Sequence, residues 1–286
     1  MKQKLDRLLR THPPVRFAAD VVGVYFSKRV GRAAAELAYF LILTFFPILI
    51  CLSAFVNELH LDLTALLEDA EAFLPGGVVA LFREYLTYIH TNQSTALLLT
   101  GIFLTVLSAS AAVRGLMNIM QEIYGRATFR GIGQLVASVL FAALLVVTIY
   151  LSLAVVVTGN WFFRLLGQVL GLEGLVERFG TWQWVKYLLL LGMVFLFILL
   201  LYRFAAPLDK PRPPVVPGAL AGSAALAIAS MVFSELMGNS ARYSLVYGSL
   251  ASVIILLVWL YLCGNVLILG NVVNYVIYKY RKEARR

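Results

Sequence analysis

Charge is what this chain has least of: Asp, Glu, Lys and Arg make up 14% of its 286 residues, against about 25% in soluble domains. Cysteine is nearly absent, with Cys51 and Cys263 both inside apolar runs, so no disulfide framework is expected. There are three histidines, His12, His60 and His90, and no His-Glu-x-x-His or Cys-x-x-Cys spacing accompanies them, so neither a metal nor a cofactor is expected. A Gly-x-Ser-x-Gly elbow and a P-loop are missing too, which leaves acyl transfer and nucleotide hydrolysis without their usual scaffolds. Apolar residues, by contrast, reach 61%, and the mean hydropathy is +0.85. A soluble globule of this size cannot hide that much apolar surface. A bilayer can, because it acts as the solvent. The chain reads as an all-α polytopic membrane protein.

Six stretches are long and apolar enough to span, at about 20 residues each: 36–56, 95–113, 135–158, 185–206, 215–237 and 247–270. Nineteen of the 24 Lys and Arg residues fall at the chain ends or in the second-to-third and fourth-to-fifth connections. The positive-inside rule therefore places both termini in the cytoplasm of a bacterial inner membrane. The same arithmetic accounts for most of the net charge of +9 without a nucleic-acid partner. Basic ends instead suit the anionic lipids of the inner leaflet. The expected divisions are a basic interfacial segment over 1–32, a transmembrane domain over 33–278 and a basic tail over 279–286. Within the domain, 58–94 reads as an amphipathic hairpin on the outer side, broken at Pro75-Gly76-Gly77.

Polar residues at membrane depth are expensive, and so they are the candidates for function. Glu36 opens the first span and Glu235 lies near the outer end of the fifth. Arg114, Asn118, Gln121 and Glu122 lie along one face at the inner end of the second, and Asn271 and Asn274 lie near the inner end of the sixth. These inner-side groups are expected to form a polar vestibule, with Glu36 paired to Arg114. Pro47 is expected to kink the first span, with Thr44 satisfying a freed carbonyl. The stripe Gly218, Gly222, Ala225, Ala229 and the stripe Gly101, Thr105, Ser108, Ala112, Gly115 have the spacing of close helix packing. The alternative for both stripes is a sliding surface for a moving helix, and a homo-oligomer is compatible with the sequence.

Several runs carry a family likeness. They are Ala34-Ala35-Glu36-Leu37-Ala38-Tyr39-Phe40 with Thr44-Phe45-Phe46-Pro47, Leu201-Tyr202-Arg203-Phe204 with Pro217-Gly218-Ala219, and above all Tyr247-Gly248-Ser249-Leu250-Ala251 with Trp259-Leu260-Tyr261. Together they resemble the YihY/virulence factor BrkB family, over roughly residues 20 to 280. The resemblance implies six helices and cytoplasmic termini. Some members carry an old ribonuclease BN label, but this sequence has no metal-binding spacing to support it. Where the family tends to have an acid after the sixth-helix glycine, this chain has Gly270-Asn271, and Glu36 stands where a small residue is common. The expected function is a transporter of lipid or another amphipathic substrate, not an enzyme. The alternative is an envelope-organising protein that binds lipid or partner proteins.

Overall fold

The computed structural model describes residues 13–58, 76–91, 94–125, 131–170, 182–206, 212–238 and 250–284. Eight helices are found among them: α1 (Pro13–Ser27), α2 (Val30–Glu58), α3 (Gly76–Thr91), α4 (Thr95–Tyr124), α5 (Ile132–Leu170), α6 (Trp182–Ala205), α7 (Val216–Gly238) and α8 (Ala251–Glu283). Five of them, α2, α4, α5, α7 and α8, are long and apolar enough to cross a membrane. In α6 the apolar part described is Leu188–Phe204. The helices overrun the expected spans, since α4 continues to Tyr124 and α8 to Glu283 with no break at 278. Hydropathy finds the lipid-crossing part of a helix. Here the polar last turns are held by contacts between helices, which hydropathy does not register.

The packing is that of a membrane bundle, with small residues inside and large apolar ones outside. Leu99, Ile102 and Phe103 of α4 and Leu135, Val136 and Leu140 of α5 are exposed, whereas Gly101, Thr105, Ala109 and Ala112 of α4 are buried. The α4 stripe lies on α2: a Cβ on Gly101 would meet Ile50 at 2.9 Å, and Cys51 sits 3.9 Å from Thr105. The α7 stripe holds only in its first half. Gly218 and Gly222 are buried against α8, but Ala225 is exposed. The buried face instead continues through Ser223, Ser230 and Phe233.

Pro47 lies within the unbroken α2. The Thr44 hydroxyl donates to the Phe40 carbonyl at 2.7 Å, one turn from the Leu43 carbonyl that Pro47 leaves without its usual donor. The expected repair by Thr44 is therefore not made. A serine or threonine in a helix finds its own i−4 carbonyl first.

The second arm of the expected hairpin exists as α3, and the first arm lies outside the described residues. Helix α3 is wedged against α2, α7 and α8, with Val78, Val79 and Leu86 buried. Phe82 stacks edge-on against Phe45 at 4.9 Å and Tyr85 against Phe46 at 5.2 Å. It plugs one end of the bundle. At the opposite end α1 runs antiparallel along the last turns of α8. Arg16 meets Glu283 at 3.9 Å, the Tyr280 hydroxyl donates to Asp20 at 2.6 Å, and the Tyr25 hydroxyl donates to Asn265 at 2.9 Å. In this segment, expected at the lipid interface, Phe17, Val21 and Tyr25 pack on the protein core, whereas Val15, Val22 and Phe26 are exposed. Burial, then the neighbouring Tyr261, raises the pKa of the Tyr25 phenol.

Candidate functional site: a charged cleft between two helices

Six helix ends meet at the end where α1 docks. Gly115 of α4 faces Glu36 of α2, and Gln134 of α5 donates to Asn118 of α4 at 2.5 Å. Tyr202 of α6 donates to the Leu267 carbonyl of α8, and Asn274 of α8 bonds Gly218 of α7 at 2.7 Å. The sequence-derived topology assigns these same six ends to one side of the membrane.

The expected vestibule residues divide into three groups. Glu36 and Asn118 line one cleft, with a volume of about 560 Å³. Its other charged lining residues are Lys28 and Arg29 at the α1–α2 corner, Arg32 on α2 and Glu122 on α4. Arg114 faces elsewhere. Its guanidinium donates to Ser110 at 3.3 Å and to Ser138 of α5 at 3.5 Å. Among the described residues no ion pair joins it to Glu36, which corrects the expected pairing. Two residues on adjacent helix ends at similar depth need not share a face, and Arg114 is turned toward the α5 seam. Gln121, half-buried on α4, keeps interactions of its own. Glu36→Gln and Arg114→Gln are therefore expected to change the thermal midpoint independently, adding within about 0.5 kcal/mol. A double-mutant cycle in detergent measures this.

Asn271 and Asn274 are buried inside the bundle, away from the cleft. Asn274 accepts from the Gly218 N–H and donates to the Val215 carbonyl at 3.2 Å. It thus acts as an N-cap supplied from another helix. Val215 precedes α7 and has no side-chain acceptor, and a free N–H in the first helical turn needs one. Asn271 accepts one long bond from Tyr124, at 3.5 Å, and its Nδ2 is buried with no partner. Glu235 is exposed on α7.

Glu122 belongs to the polar α4 face already legible in the sequence, whereas Lys28, Arg29 and Arg32 were missed as members of the same cleft. The available signal was spacing. Arg32 stands four residues before Glu36, and Asn118 four before Glu122, so each pair shares a helix face. The corner itself is unusual: Arg29 has a left-handed backbone, φ 51°, which non-glycine residues rarely adopt. Its carbonyl accepts from the Arg32 and Ala33 N–H groups at the start of α2, and Lys28 and Arg29 at this corner line the cleft. The lining holds neither histidine nor cysteine. Among the described residues no group of three or more His, Cys, Asp or Glu is placed to hold a metal ion.

A model of the family described as virulence factor BrkB matches residues 21–286. The chain belongs to the BrkB virulence factor family. It is 28% identical to a putative ribonuclease-like protein, YfkH, of Bacillus subtilis strain 168, over 93% of this chain and 96% of that protein. UPF0761 membrane proteins of Albidiferax ferrireducens and Aromatoleum aromaticum are 25% and 27% identical, over 95% and 94% of this chain. The chain spans 65% of the length of each of those two proteins. No solved structure matches. Membership fits what the helices show, a membrane protein with several spanning helices.

Proposed function

We propose that this protein is a six-span permease of the bacterial inner membrane, with both termini cytoplasmic, that moves an amphipathic substrate without nucleotide hydrolysis. The observation that carries the reading is the join between the cleft and its surroundings. Glu36, Tyr39 and Leu43 recur at helical spacing on α2, and all three are exposed, Tyr39 by 56% and Leu43 by 47%. On α4 the exposed Asn118 lies above the exposed Leu107 and Leu104 on the same face. A charged cleft thus runs straight into apolar surface along two helices. This polarity order matches a molecule with a charged head and an apolar body.

The reading is tested in proteoliposomes holding the full chain and a trace of headgroup-accessible fluorescent phospholipid. Transbilayer movement should be at least tenfold faster than in protein-free vesicles. Equal rates in the two preparations would remove the permease reading.

A further inference from the structure

The charges in the cleft do not neutralise one another. Lys28, Arg29 and Arg32 stand on the α1–α2 side and Glu36 and Glu122 complete the lining. Among the described residues none of the five makes an ion pair. Surface charges of opposite sign at one site normally gain something by pairing, if only a few tenths of a kcal/mol. Here they line about 560 Å³ of open space with no ion pair among them. That volume is in the range of small-ligand sites. Charges of both signs, separated and unpaired, complement a ligand that itself carries both.

We infer that this cleft binds the headgroup of a zwitterionic aminophospholipid, the inference resting on the amphipathic-substrate reading above. The phosphate goes to Lys28, Arg29 and Arg32, where an Arg fork matches its oxygens. The primary ammonium goes to Glu36 and Glu122 and donates hydrogen bonds to their carboxylates. The acyl chains lie along Tyr39 and Leu43 of α2 and Leu107 and Leu104 of α4. Asn118, already engaged by Gln134, lines the cleft one turn from Glu122. Two discriminations follow. An anionic headgroup with a glycerol in place of the amine leaves both glutamates unmatched. A quaternary ammonium keeps the charge but has no N–H to donate, so it loses hydrogen bonds that the carboxylates are placed to accept.

The test is lipid binding to the full chain in detergent, counted by native mass spectrometry. Dioleoyl phosphatidylethanolamine, phosphatidylcholine and phosphatidylglycerol are each added from mixed micelles. The ethanolamine lipid should bind at least tenfold tighter than either competitor, about 1.4 kcal/mol. Glu36→Gln combined with Glu122→Gln should erase that preference while leaving phosphate-lipid binding in place. Lys28→Ala combined with Arg32→Ala should weaken all three lipids. Both pairs are at exposed or half-buried positions, and an unchanged thermal midpoint shows that they fold. Glycerophosphoethanolamine, which lacks acyl chains, should not compete at equal concentration. Equal binding of the three lipids, a preference that survives removal of both glutamates, or full competition by the soluble headgroup would each overturn the inference. Transport and binding fail separately. Tight ethanolamine-lipid binding with no transbilayer movement removes the permease and keeps the site, and movement with no headgroup preference does the reverse.

Discussion

Gly218→Ala is expected to lower stability by about 3 kcal/mol, read as a fall in the thermal midpoint of the detergent-solubilised protein. A methyl group there would run into the Gly270 carbonyl oxygen and the Asn274 amide. One obstacle is backbone, and the other is a side chain already fixed by two hydrogen bonds. Overpacking commonly costs about 1–3 kcal/mol and more where nothing can yield. The helix propensity gained by alanine, at most about 1 kcal/mol, does not offset it. Gly270 is similarly confined, since a Cβ would lie 2.5 Å from the Tyr202 hydroxyl oxygen and 2.7 Å from the Gly218 carbonyl oxygen. Gly133 and Gly192 are the controls. Both lie within helices with open space around the added atom, so Gly133→Ala and Gly192→Ala should be neutral or stabilise by roughly 0.5–1 kcal/mol. A uniform response across the four glycines would mean that the α7–α8 contact is not the close one described.

The second large effect concerns two asparagines that look alike in the sequence. Asn274→Leu removes a fully buried amide that serves one donor and one acceptor at the start of α7. Each group left buried without a partner costs about 1–3 kcal/mol, so the loss should be about 2–4 kcal/mol. Asn271→Leu removes an amide of equal burial whose Nδ2 is already unpartnered and whose single bond is long. That substitution should cost under about 1 kcal/mol or stabilise the protein, because it removes an unsatisfied polar group rather than creating one. Thermal midpoints of the two variants, measured side by side, check the contrast. Equal losses would contradict the different roles assigned to them.

These two asparagines also mark where sequence reading stops. Class and approximate helix positions were legible because a bilayer demands long apolar runs. The α4 stripe from Gly101 was legible because close helix approach needs small residues at fixed spacing. Membership of the vestibule was only half legible. Depth along a helix can be read from the distance to its apolar run, but the face a residue turns to a neighbour depends on which helices are adjacent. Glu36 and Asn118 reach the cleft. Arg114, at the same depth, turns to Ser138, and Asn271 and Asn274 turn inward. The basic wall was missed for a different reason. Lys28, Arg29 and Arg32 read as one more run of inner-side charge, and they line the cleft at a corner where Arg29 makes a left-handed turn. Nothing in the residue type announces that turn, since glycine or asparagine would be expected there.

Whether the substrate path passes through the α2–α4 cleft is decided by a single introduced thiol. Cys51 and Cys263 are buried and free, so a background lacking both is suited to a single introduced thiol. Asn118→Cys places that thiol in the cleft and Gly133→Cys places one on the exposed start of α5. Each variant is reconstituted, and fluorescent-lipid movement is followed before and after reaction with a bulky maleimide. Modification at 118 should reduce movement at least tenfold, and modification at 133 should leave it unchanged. Undiminished movement with residue 118 fully modified would contradict the account.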